Sequence, residues 1–165
     1  MDVKTNSTLN ATQKAGITET LFALSCLLGS SGNLSLATPF VDDEGVDIIV
    51  YRRKVGGPPL YIQVKSRFTL TGRGQYRAQV RKQSFLPRKD LYIVFVYFDT
   101  QKIQLGETLW FIPSLDFKKL ISGQGSNRKN YVFSTKFNSR NDMWAQYKLK
   151  LSEISSVIES ILNQN

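Results

Sequence analysis

The chain contains no histidine. That absence removes serine–histidine triads, cysteine–histidine pairs, histidine-based ribonuclease mechanisms and histidine–metal nucleases, all of which need an imidazole. A hydrolase made from this sequence has to work with carboxylates, lysine, tyrosine or a metal. Cysteine is nearly absent too. The single Cys26 permits neither an internal disulfide nor a cysteine-built zinc site, and its place in an apolar helical stretch marks it as a core residue. No apolar run is long enough to span a bilayer, since the longest, Leu91 to Phe98, has the length of a strand. The opening residues MDVKTNST carry no secretory hydrophobic segment, so a cytoplasmic location is expected.

Acidic residues are also scarce, 13 against 22 lysines and arginines, for a net charge of +9. Such an excess favours a polyanionic partner, nucleic acid before an acidic membrane surface. With 41% hydrophobic and 12% aromatic residues the chain is rich enough in apolar surface to fold rather than stay disordered. Its 165 residues suit one domain, 1–165, with a real core.

What is present concentrates in Asp43 to Arg67, DEGVDIIVYRRKVGGPPLYIQVKSR. GVDIIVYRR and LYIQVKSR are rich in β-branched and aromatic residues and flank the chain-breaking VGGPP, which predicts a hairpin. Residues two apart share a strand face. Tyr61, Gln63 and Lys65 therefore point one way, and Leu60, Ile62 and Val64 the other. In the first strand Asp47 is expected to share a face with Ile49 and Tyr51, opposite Val46, Ile48 and Val50.

An acid inside an apolar strand is costly to bury without a partner. Two partners fit. Lys65 can form a cross-strand ion pair with Asp47, leaving Gln63 a half-exposed polar residue. Alternatively a hard divalent cation lies between them, magnesium with manganese as a substitute. Asp47 then supplies a carboxylate, Gln63 an amide oxygen and Val64 a main-chain carbonyl, while Lys65 orients the attacking water and offsets charge developing on a phosphate.

An acid in a hydrophobic strand, a hairpin, then hydrophobic–(Glu/Gln)–hydrophobic–Lys resembles the PD-(D/E)XK nuclease superfamily, which includes restriction endonucleases and Holliday-junction resolvases. The matching residues are Gly45-Val46-Asp47 and Ile62-Gln63-Val64-Lys65-Ser66, with an upstream helix bearing Glu19. The likeness covers about the first 100 residues. It departs from the commoner pattern at Gln63, where an acid is usual, and Glu19 is the candidate second carboxylate for the metal. A glutamate on the rim of the helix is the plainer reading of that residue. The resemblance implies an α/β fold with a restriction-endonuclease-like αβββαβ core, a central mixed sheet flanked by helices, and a C-terminal strand and helix extension. It implies Asp47, Gln63, Lys65 and Glu19 as catalytic residues and Glu19, Asp47, Gln63 and Val64 as the metal set.

Along the rest of the chain, a helix is expected from Asn10 or Thr12 to Leu28, with Ile17, Leu21, Leu24 and Leu28 on one apolar face and Phe22, Ala23 and Cys26 on another. A strand follows from Leu34 to Phe40. Asp42, Asp43 and Glu44 form an acidic turn; solvated turn acids are the plainer reading, and assistance to the metal is the alternative. A second helix is expected over 75–85, ended by Pro87, with Arg77 and Arg81 one turn apart and Gln79 and Gln83 likewise. Arg67, Arg73, Arg77, Arg81 and Lys82 there, and Arg128 and Lys129 in the loop 123–130, are candidate phosphate contacts; a solvated helix face is the plainer use of such charges. Leu91–Phe98 reads as a central strand and Leu109–Ile112 and Tyr131–Phe137 as further strands, while Pro113, Ser114 and Asp116 lead into a short helix through Leu120 and Ile121. Trp144 and Tyr147 anchor the tail to the core or stack on a base. The final helix, Leu151 to Leu162, carries an apolar stripe that fits internal packing or a homodimer.

The resemblance, together with the basic charge, implies a metal-dependent endonuclease hydrolysing DNA, with branched or single-stranded DNA among the expected substrates. The alternative is a catalytically inactive nucleic-acid-binding or assembly module of the same fold.

Overall fold

The computed structural model describes residues 9–41, 44–122 and 129–164, with only the backbone at Arg73. The chain opens with α1 (Ala11–Gly29). Asn10 caps it by accepting the Gln13 N–H at 2.9 Å, and the Gln13 side chain accepts the Asn10 N–H in return. Then come β1 (Leu34–Ala37), β2 (Ile48–Arg52), β3 (Leu60–Arg67), β4 (Gln75–Arg81), β5 (Leu91–Asp99), β6 (Gln104–Pro113), α2 (Ser114–Ile121), β7 (Asn130–Lys136), β8 (Lys148–Lys150) and α3 (Ile154–Gln164).

Six strands form one mixed sheet in the order β1-β2-β3-β5-β6-β8, in which β3 and β5 run parallel and the other neighbours antiparallel. The expected central mixed sheet with flanking helices and a C-terminal strand and helix is therefore found. The apolar run of β5 lies in its middle and buries both faces. Val94, Val96 and Phe98 point to the side covered by α1 and α3, while Ile93 and Phe95 point to the opposite core. α3 places Ile154, Ile158 and Leu162 in the core shared with α1, so its stripe packs internally. Trp144 is buried in the other core, and the Tyr147 hydroxyl donates to Asp116 at 3.1 Å; both hold the tail to the body of the protein.

Two expectations need correction. The 75–85 segment is no helix: Gln75–Arg81 is β4, paired antiparallel with β7 in a separate two-stranded ribbon. In QYRAQVR the apolar residues fall at every second position, so a strand buries Tyr76, Ala78 and Val80 together, whereas a helix would turn Ala78 away from the other two. The ribbon packs that face on the sheet, with Phe133 stacked on Phe95 at 3.8 Å between ring centroids. Along α1 the buried line is Thr18, Phe22 and Cys26, while Leu24 and Leu28 are exposed. Cys26 is a core residue as expected, and burial pushes its thiol up to about 12. Among the described residues no helix is long and apolar enough to cross a membrane.

Candidate active site

Asp47 does not sit inside a strand. β2 begins one residue later, at Ile48, and the alternation breaks there. Val46 enters the ribbon-side core while Ile48 enters the α1-side core. Asp47 is instead fastened to β3. Its N–H donates to the Ile62 carbonyl at 2.9 Å, and its Oδ2 accepts the Val64 N–H at 2.5 Å. The N–H and C=O of one strand residue leave on the same side, so the Val64 carbonyl faces the notch that holds the Asp47 carboxylate.

Gln63 and Lys65 lie on the opposite face of β3 from Val64, whose side chain enters the α1-side core. Gln63 is only 3% exposed, and its Oε1 is buried with no hydrogen-bond partner among the described residues. A buried acceptor left unpaired costs about 1–3 kcal/mol; Trp110 Nε1 and Glu159 Oε1 are also unpaired among the described residues, but of the three only Gln63 lines the cleft described below. Gly45 makes room for it. A Cβ at Gly45 would lie 2.3 Å from Gln63 Nε2, and its φ of +69° is one that side chains rarely adopt. The matched stretch contains Gly45, yet nothing in its spacing reveals that its lack of a side chain shapes the site.

α1 supplies the far wall. Glu19, Asp47, Gln63 and Lys65 line one cleft of about 900 Å3, together with Ala15 and Gly16 of α1 and Gln79 and Arg81 of the ribbon. An adjoining cavity of about 430 Å3 brings Lys14 and Arg67 beside Glu19, Asp47, Val64 and Lys65. The sequence-selected groups separated by some forty residues thus share one depression. Among the described residues no three His, Cys, Asp or Glu side chains group closely enough to hold a metal. The cleft offers two carboxylates and the Gln63 amide, and the adjoining cavity is lined by Val64; oxygen donors of these kinds are what hard cations take.

Of the other selected residues, Glu44 pairs with Arg88 at 3.0 Å, while Asp42, Asp43 and Arg128 lie outside the described residues, as does the Arg73 side chain. Arg67 donates through Nε to the Arg77 carbonyl. Arg77 and Arg81 sit on the exposed face of β4 rather than on a helix. The Lys82 ammonium lies 5.0 Å from the Tyr131 ring centre, its backbone N–H bonds to the Lys129 carbonyl, and Lys129 is exposed. The sequence shows Tyr76 only as an apolar position, on a flank with Val80 of the helix expected there. Its hydroxyl is 2.7 Å from the Lys65 carbonyl and 3.1 Å from that of Val96, and it ties the ribbon to the strand that carries Lys65. Complete burial pushes its phenol well above the ordinary value.

No family model and no curated protein sequence matches the chain. Among solved structures it is similar to a bacterial homing endonuclease, I-Ssp6803I, with a TM-score of 0.57 over 94% of this chain and 96% of that one at 15% identity. The chain shares the fold of a nuclease. D212, a nuclease from a fusselovirus, aligns over the same shares with a TM-score of 0.49 and 13% identity.

Proposed function

We propose that the chain is a metal-dependent nuclease of the PD-(D/E)XK type that hydrolyses DNA phosphodiester bonds. The observation that carries this reading is the buried, unpartnered Gln63 Oε1 in a cleft that also holds Glu19, Asp47 and Lys65. The residues fit a hard cation, magnesium or manganese. Glu19, Asp47, Gln63 Oε1 and the Val64 carbonyl would hold it, and waters usually complete such a shell. When bound, the cation supplies positive charge against a phosphate oxygen at the reacting centre.

The remaining work falls to the chain itself. Water attacks phosphorus and gives up a proton to solvent, a new P–O bond forms, and the bond to the departing nucleotide oxygen breaks as that oxygen takes a proton from solvent. With no imidazole in the chain, Lys65, which lines the same cleft, would orient that water and offset the charge that develops on phosphorus. Arg67 and Lys14 line the adjoining cavity and are suited to a phosphate backbone.

Nicking of supercoiled plasmid in magnesium tests the reading. Lys65→Ala is expected to lower the rate by about a hundredfold or more, and an unchanged rate overturns it. Gly45→Ala is the milder companion. The new methyl displaces the Gln63 amide, so nicking falls about tenfold or more, while the left-handed backbone costs about 1–2 kcal/mol, a modest drop in a melting curve.

A second reading, a DNA-binding module without catalysis, is favoured by Gln63 standing where an acid is usual. It requires DNA retention at low salt and no nicking with magnesium or manganese.

A further inference from the structure

The ribbon of β4 and β7 presents an outer face that the core does not use. On β4 this face carries Gln75, Arg77, Gln79 and Arg81, while Tyr76, Ala78 and Val80 are buried beneath. The register sets Gln75 opposite Lys136, Arg77 opposite Ser134 and Arg81 opposite Asn130. Neither strand contains an acidic residue. Arg77 and Arg81 form no ion pair among the described residues. The Asn130 amide donates to Gln79 Oε1 at 3.2 Å and holds the two amides side by side.

Resting on the nuclease reading above, we infer that this ribbon enters the major groove of duplex DNA and reads base edges with Arg77, Gln79 and Arg81. Three properties carry the assignment. A two-stranded ribbon fits a major groove about 12 Å wide. At ~3.4 Å per residue, outward side chains two apart stand about 6.8 Å apart, close to two base-pair steps, and β4 spans about 20 Å or six steps. Arginine and glutamine are the side chains that reach guanine and adenine edges with paired hydrogen bonds. Charge complements the duplex as well, and the face is continuous with the active-site cleft, since Gln79, Arg81 and Asn130 line it beside Asp47 and Lys65. The Tyr76 hydroxyl bond to the Lys65 carbonyl fixes the reading face relative to the cutting site. A duplex seated on the ribbon would thus have its backbone registered over the cleft.

Selection from a randomised duplex library by the full chain, without divalent metal, tests this. The wild type enriches a motif of about six base pairs. Arg77→Ala and Gln79→Ala, both at exposed positions, each relax the preference at one or two neighbouring positions, with about a tenfold loss on the enriched site and little on random duplex. Replacing guanine by 7-deazaguanine, which removes only the major-groove N7, weakens wild-type binding to a similar degree. Binding without an enriched motif overturns the assignment, as does a motif that both variants read like the wild type or one insensitive to 7-deazaguanine. Nicking by the same preparations in magnesium is scored separately. Nicking without a motif overturns the ribbon and leaves the nuclease reading standing. A motif lost in the variants, without nicking, supports the ribbon and removes the nuclease reading.

Discussion

Asp47→Asn is expected to lower plasmid nicking about a thousandfold while leaving the melting temperature near that of the wild type. The two outcomes separate because the Asp47 carboxylate has two tasks. Structurally, Oδ2 accepts the Val64 N–H at 2.5 Å and closes the edge of β3 where β2 has not yet begun. An asparagine oxygen can accept the same N–H, so the notch keeps its shape. Chemically, the carboxylate supplies negative charge in a cleft whose only other acid among the described residues is Glu19, and asparagine removes that charge. Asp47→Ala removes both. It leaves the part-buried Val64 N–H unpaired, at about 1–3 kcal/mol, or roughly 2–4 °C of melting temperature per kcal/mol for a chain of this size. Nicking and thermal melting on the two variants therefore give distinct patterns. Equal nicking by Asp47→Asn and wild type would sink the metal set. An Asp47→Asn protein that melts as low as Asp47→Ala would show that its charge, rather than its acceptor oxygen, holds the notch.

Much of the fold was legible because local signals agreed with the final packing. Asn10 and Gln13 carry a capping pair, VGGPP can only turn, and the apolar run of β5 suits a strand buried on both faces. The ribbon was misread although its signal was present. Arg77 and Arg81 are spaced four apart and match a helix, but the apolar residues beneath them repeat every two, and the buried residues decide the element. Leu24 and Leu28 match the helical apolar period yet stay exposed, since the sheet meets α1 along Thr18, Phe22 and Cys26 instead. The site was legible in part. Gln63 and Lys65 share a face by strand geometry alone. Their approach to Glu19 depends on how α1 crosses the sheet, which no local pattern encodes. Gly45 and Tyr76 were silent for the same reason: each matters through a neighbour distant in sequence, the Gln63 amide and the Lys65 carbonyl.

Gln63→Glu is the substitution most revealing of the proposed metal set, because its expected effects have opposite signs with and without the cation. The two side chains have the same shape, so the cavity beside Gly45 is kept. Without metal, the variant sets a carboxylate at a position 3% exposed, in a cleft that already holds Asp47 and Glu19. Desolvation and like-charge repulsion then destabilise the fold unless the new group takes up a proton. With magnesium present, an added anionic oxygen should tighten binding at least about tenfold, or ~1.4 kcal/mol. A cation bound only by the folded state stabilises it in proportion to the logarithm of its affinity. The melting temperature of Gln63→Glu should therefore fall below wild type in chelator, and the gain on adding magnesium should exceed that of wild type by several degrees. Calorimetric titration of magnesium measures the affinity directly and needs no catalysis. If the magnesium-induced gain is no larger than in wild type, the unpartnered Gln63 oxygen does not face a cation.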